Sequence, residues 1–183
     1  MTPELRYPGR KDRGKGEGWI RGFLRRGAVG VLATVDEGYP VAIPLLYAYD
    51  ETRQALYMHT GLRGRTRRVL EGDGGPASLT VFEMGRLLPA RQAAEFGLEY
   101  ASVVVTGTGV VVEDAREAEL GLRLLMEKYA PHLEPGRDYR PTSAEDLART
   151  TVLRLDIREW SGKEKAERPD YPGAYRFRDA PGG

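Results

Sequence analysis

Residues 28–60 read AVGVLATVDEGYPVAIPLLYAYDETRQALYMHT, and this stretch decides the fold. Ala28–Val35 is apolar and rich in β-branched residues, as a strand requires. Asp36-Glu37-Gly38 supplies turn residues. Tyr39–Tyr49 is a second strand, interrupted by Pro40 and Pro44. Proline cannot donate to a sheet ladder, so both mark a sheet edge or a bulge. Asp50–Gln54 makes the next turn and Ala55–Thr60 a third strand. Three consecutive strands joined by tight turns make an antiparallel meander, because a parallel unit needs a long crossover.

Upstream, Gly18–Arg26 reads as a short helix, with Trp19, Ile20, Phe23 and Leu24 on one face and Gly27 as its stop. Residues 1–16 are rich in Arg, Lys, Gly and Pro and read as a solvated arm. Gly9–Gly16 nearly spells a phosphate loop. No apolar strand precedes it, however, and Gly16 stands where a Ser or Thr must reach magnesium. Downstream, Leu62–Leu70 predicts a short helix ended by Gly72–Pro76. Ala77–Phe82 predicts a strand and Ser102–Val112 a longer one. Met84–Tyr100 between them has no clear period and reads as a covering loop with helical turns. Gly107-Thr108-Gly109 lies inside a β-rich run, without the third glycine or following helix of a dinucleotide loop. Its glycines read as relief of crowding where a barrel strand bends. Asp114 and Glu117 have capping-box spacing at the head of a helix. Leu122, Leu125, Met126 and Tyr129 form its core stripe, and Pro131 closes it. A last strand is predicted over Thr150–Ile157, and the sequence after Trp160 reads as a polar loop. The division is an arm (1–16), one domain (17–165) and a tail (166–183).

The 183 residues suit a single core. A net charge of +1 gives no general reason to expect nucleic acid or an anionic membrane as partner. With no cysteine, disulfides, thiolate catalysis and iron–sulfur clusters are excluded. His59 and His132 are the only histidines, so no metal site is expected. No apolar run reaches the roughly 20 residues of a membrane helix, and the N-terminus lacks a secretory h-region; a cytoplasmic protein is expected.

The chemistry concentrates in Leu56-Tyr57-Met58-His59-Thr60-Gly61-Leu62-Arg63-Gly64-Arg65-Thr66-Arg67-Arg68. A strand ends at His59 and Thr60, a glycine-containing turn follows, and a helix begins near Arg63. Orphan N–H groups at a helix start favour an anion. Arg65 adds a forked guanidinium, and Thr60 and Thr66 add hydroxyls. Each charge-assisted hydrogen bond contributes about 1.5–3 kcal/mol. A phosphate monoester fits this set; a basic, solvated helix face is the other reading. Val41–Tyr47 offers a flat apolar wall, and Pro44 leaves nearby backbone groups free of the ladder. A planar heterocycle with amide edges would use both features, whereas a buried strand with a bulge would need neither.

With these residues assembled, the chain resembles the pyridoxamine 5'-phosphate oxidase-like split-barrel flavoproteins, and within them the Nim (5-nitroimidazole resistance) group. The resemblance covers about residues 6–165. Gly27–Thr34 matches the opening strand, and Gly38–Leu45 the "G-x-P-x-x-x-P" strand. His59 with Gly64-Arg65 matches the His…Gly-Arg phosphate turn, and Tyr100–Gly107 a later strand. Trp160-Ser161-Gly162-Lys163 matches the "W-[ST]-G-K" ending. The resemblance implies an α+β fold: a six-stranded Greek-key split β-barrel with peripheral helices. It implies a homodimer with FMN at the interface. Arg65 and Thr66 would hold the phosphate, although many relatives have Lys at the Thr66 position. Ile43, Pro44 and Leu45 would line the flavin, largely through backbone, with Thr60 on the same turn. Ser102 stands where oxidases often place a flavin-contacting Gln. His59 would sit near the ring as the catalytic residue, and Trp160 and Lys163 would close the site. The function implied is a reductase passing electrons from FMN to nitroimidazole-like or other small-molecule acceptors. A vitamin B6 oxidase is an alternative, but the extended basic C-terminal pattern that grips a second phosphate is missing. A non-catalytic FMN or heme module is another.

Overall fold

The computed structural model describes residues 11–180. Its strands are β1 (Gly14–Lys15), β2 (Gly30–Asp36), β3 (Tyr39–Leu45), β4 (Tyr47–Asp50), β5 (Ala55–Gly61), β6 (Gly75–Leu88), β7 (Gly97–Val111), β8 (Thr150–Lys165) and β9 (Tyr175–Arg176). The helices are α1 (Glu17–Arg26), α2 (Arg65–Leu70), α3 (Ala115–Tyr129) and α4 (Ala144–Ala148). The main sheet runs β3-β2-β6-β7-β8-β5-β4, antiparallel throughout. Its first and last strands, β3 and β4, are two halves of one chain segment that bends at Leu46. The first half pairs with β2 and the second with β5, so one bent strand joins both ends of the sheet. That makes a six-stranded barrel, split where the bend opens it, with helices at its periphery.

The core follows from strand alternation. Leu32, Tyr47, Leu56, Met58, Leu79 and Val103 are buried inside the barrel, and Phe23 and Leu24 of α1 close one end. The opposite faces of β5 and β8 bury Tyr57 and Val152 against Ala118 of α3. Gly121 belongs to the same contact: a Cβ there would lie 2.9 Å from both Tyr57 and Val152. Of the α3 stripe expected from sequence, Leu125 is buried, while Leu122, Met126 and Tyr129 are half-buried. Tyr129 is an amphipathic fastener. Its hydroxyl donates to the Ala28 carbonyl (2.7 Å) and accepts from the Tyr47 N–H (3.1 Å).

Three expectations need correction. Met84–Tyr100 is not a covering loop: β6 continues to Leu88 and β7 begins at Gly97, with one helical turn, Ala93–Glu95, at the tip. A register shift between Met84 and Leu87 breaks the two-residue alternation, which hid the strand. The sequence after Trp160 is not a loop either, because β8 runs on to Lys165 between β7 and β1. The capping box at α3 is only half made. Asp114 accepts from the Glu117 N–H (2.8 Å), but the Glu117 carboxylate accepts from Tyr57 and Arg154 instead, both at 2.7 Å. A reciprocal box does form at α4, between Ser143 and Asp146, where no helix was expected.

The crowding expected at Gly107 is present. Thr106 pairs with Glu159 and Gly107 with Ile157, leaving Arg158 as the extra residue of a β-bulge. A Cβ on Gly107 would fall 1.8 Å from the Asp156 carbonyl oxygen, so the bulge admits only glycine. No helix among the described residues is long and apolar enough to cross a membrane.

Candidate functional site

The split leaves two strand edges without partners. β4 pairs with β5 from Tyr47↔Met58 to Asp50↔Ala55. The same register, carried past the bend, would set Leu45 opposite Thr60 and Pro44 opposite Gly61. Instead β3 turns away to β2, and residues 59–61 pair only with β8. Both edges therefore carry backbone donors and acceptors that the sheet does not use. Proline tolerates this position because an edge asks for no N–H on its open side.

One end of this opening is charged. Asp36 ends β2, opposite Tyr39 of β3. Its carboxylate takes Arg65 at 3.3 Å through Nε and Arg68 at 2.7 Å. Arg65 is exposed, and its two terminal nitrogens have no hydrogen-bond partner among the described residues. α2 has only six residues, so its N-terminus alone makes no anion site; Arg65 is what an anion would meet. Gly64, with φ 155°, sets the turn that presents it. Thr66 next to it is turned inward and buried. The Thr151 hydroxyl, in register with Thr60, is buried without a hydrogen-bond partner. An orphaned buried hydroxyl beside two open strand edges is what a polar ligand would complete.

The other expected residues fall elsewhere. Ile43 and Leu45 turn their side chains toward the barrel core and offer only backbone to the opening. Pro44 faces outward. It begins a row across five strands, Pro44–Val31–Thr80–Val104–Ser161, that forms a flat outer floor of small and β-branched side chains. Ser102 and Lys163 are direct cross-strand neighbours on that outer face, next to Phe82, which is 61% exposed. His59 is exposed and lies on the opposite face of β5 from Thr60, beyond the end of the α3 contact. Trp160 is not at the turn at all. It packs against the core, edge-on to Tyr49 with centroids 6.3 Å apart, under the Arg21 guanidinium at 4.9 Å. One chain thus gathers Thr60, Arg65 and the backbone of β3 at the split, and places Pro44, Ser102 and Lys163 on the outer sheet face.

Sequence reasoning missed Asp36. In sequence it reads as a turn residue, and nothing local signals that it meets arginines some thirty positions away.

Residues 19–164 match the sequence model of a family described as pyridoxamine 5'-phosphate oxidase. No curated protein matches the chain. Among solved structures, the FAD- and heme-binding protein from Mycobacterium smegmatis superposes with a TM-score of 0.74 at 26% identity, over 86% of this chain and 76% of that one. The flavocytochrome Anf3 from Azotobacter vinelandii gives 0.73 at 22% identity, over 87% and 73%. A candidate 5-nitroimidazole antibiotic resistance protein from Bacteroides thetaiotaomicron gives 0.63 at 18% identity, over 82% and 84%. The last two are likenesses of fold.

Proposed function

The chain belongs to the pyridoxamine 5'-phosphate oxidase family, and we propose that it binds FMN in the split between β3 and β5 and acts on a small-molecule electron acceptor. The observation that carries this reading is Arg65. It is presented at one end of two open strand edges, already facing one carboxylate and with its guanidinium fork free. A phosphate monoester suits that fork. The open backbone of Ile43, Pro44 and Leu45, with Thr60 opposite, suits the amide edge of a flavin ring. β3 spans about 20 Å at 3.3 Å per residue, which runs from the charged end to the bend.

Bound FMN would supply two-electron redox chemistry, and the protein would position it and exclude water. His59, exposed on the far face of β5 from Thr60, would meet an acceptor that approaches from that face. The division of the site supports a homodimer: Ser102 and Lys163 lie on an outer face away from the split, and a second copy docked there would bring them to its partner's flavin. Exposed Phe82 and Met84 give that face the apolar surface an interface needs.

The absorbance spectrum of purified protein and the identity of its heat-released cofactor test the reading. Flavin bands with released FMN are expected. Released FAD would move the ligand beyond a single phosphate turn. A heme band without flavin would favour a non-catalytic binding module, the reading to which the FAD- and heme-binding relative lends weight.

A further inference from the structure

Among the described residues, two buried side-chain polar atoms have no hydrogen-bond partner: Nε of Arg67 and the hydroxyl of Thr151. Arg67 is satisfied at its other nitrogens, which donate to the Leu62 carbonyl and the Glu71 carboxylate, both at 2.9 Å. Thr151 has nothing but its hydroxyl, and the residue is only 4% exposed. A buried hydroxyl without a partner costs stability that an isosteric valine would not.

The neighbours of Thr151 on the sheet give that hydroxyl a use. Met58 pairs with Leu153, and both side chains lie in the barrel core. Strand side chains alternate, so Thr60 and Thr151 are the next pair along the same inward face. Such pairs have Cβ atoms about 5 Å apart, close enough for two threonines to share a hydrogen bond. Thr60 is half-buried at the open edge of β5, and its hydroxyl has no partner among the described residues. Rotation of the Thr60 side chain alone can join the two, while enclosed Thr151 stays in place. Thr151 then donates and Thr60 accepts, which leaves Thr60 its own proton to donate into the split. Both residues face the barrel interior, so a second copy docked on the outer sheet face leaves them untouched.

We propose that Thr151 is a positioning residue for the flavin site: its hydroxyl donates to that of Thr60 and so fixes the Thr60 proton on an acceptor atom at the amide edge of the flavin ring. The proposal rests on the flavin reading above. Linked hydrogen bonds polarise and strengthen one another. The acceptor atoms at that edge carry more negative charge when the flavin is reduced, and a hydrogen bond to a charged acceptor is the stronger one. The pair therefore favours the reduced cofactor over the oxidised one.

Thr151→Val and Thr151→Ser test this in cofactor-free protein and after loading with FMN. Thr151→Val removes an unpaired hydroxyl and should raise the urea midpoint of the cofactor-free protein. With FMN bound, it should lower the midpoint potential by about 30 mV, which corresponds to a tenfold loss of preference for the reduced form in a two-electron couple. Thr151→Ser keeps the hydroxyl and should keep the wild-type potential. Thr60→Val should lower the potential at least as far, and adding Thr151→Val to it should lower it no further, because the two act as one chain. An unchanged potential in Thr151→Val, or additive shifts in the double variant, would overturn the proposal and leave flavin binding in the split intact. A urea midpoint of Thr151→Val no higher than that of the wild type would also overturn it, by showing that the hydroxyl already has a partner. A wild-type protein that binds no flavin would remove both the proposal and the reading beneath it.

Discussion

Arg65 and Asp36 act as a pair at the scale of single residues. The Asp36 carboxylate holds Arg65 by its Nε edge, which leaves the terminal nitrogens turned out. Exposed ion pairs contribute little by themselves, so the consequence of this one lies in orientation. Arg65→Ala should weaken FMN binding by at least about 1.5 kcal/mol, roughly tenfold, and leave riboflavin binding unchanged. Equal losses for both ligands would mean that the phosphate is held elsewhere. His59 was legible as a strand-end histidine next to a glycine turn; its orientation, on the far face of β5 from Thr60, was not. His59→Ala should retain FMN and lose at least about tenfold in reduction of a nitroimidazole by the reduced protein, measured by stopped-flow reoxidation. Equal rates at equal flavin occupancy would assign His59 to structure alone. Arg65 was legible because its type and spacing state its chemistry. Asp36 was not, because its partners are brought by tertiary folding.

At the scale of elements, the bulge at Gly107 and the long β6–β7 hairpin make opposite demands. Crowding there was legible from two glycines in a β run, since a strand rarely gives up side chains without a close approach to permit; the bulge in the neighbouring strand was not. Gly107→Ala should cost at least about 2 kcal/mol in urea unfolding, because the Asp156 backbone oxygen has no room to retreat. Unchanged stability would show that the strand can re-register. The hairpin was not foreseen, because its irregular register removes the period-two signal and because Arg86 and Glu99 look like solvated charges in sequence. In the fold, the Arg86 guanidinium bonds both Glu99 oxygens at 2.7 and 2.8 Å and also reaches the carbonyls of Arg168 and Pro169, tying the C-terminal segment to the hairpin. Arg86 pulls the Glu99 carboxyl down to about 2. A carboxyl depressed in the folded state contributes stability that is complete above its unfolded pKa of about 4.3 and is lost as pH falls toward 2. Glu99→Gln should therefore be destabilising at pH 7 and flatten part of the stability loss between about pH 4 and 2. Asp146, held to about 2 by the Ser143 cap and by Arg140, keeps part of that slope, together with Glu117 and Asp138, which are also lowered. A slope unchanged by Glu99→Gln would show that the pair contributes nothing to acid sensitivity.

For the whole molecule, the barrel closes through one bent strand, and closure by a bend is what leaves two strand edges unpaired. The meander over residues 28–60 was legible from its turns, and the split barrel from the resemblance. The place of the bend was not, since Leu46 carries no bend signal beyond the proline two positions before it. The outer face then leaves Phe82 and Met84 uncovered while Pro44, Ser102 and Lys163 share that face. Sedimentation at micromolar concentration should give the mass of two chains, and the mass of one would remove the second copy from the site. The most direct test of the central claim is titration of FMN into cofactor-free protein, followed by quenching of flavin fluorescence, with riboflavin in parallel. The account predicts saturation at one FMN per chain, with riboflavin at least about tenfold weaker for want of a phosphate. Absence of saturable binding by either flavin would contradict it.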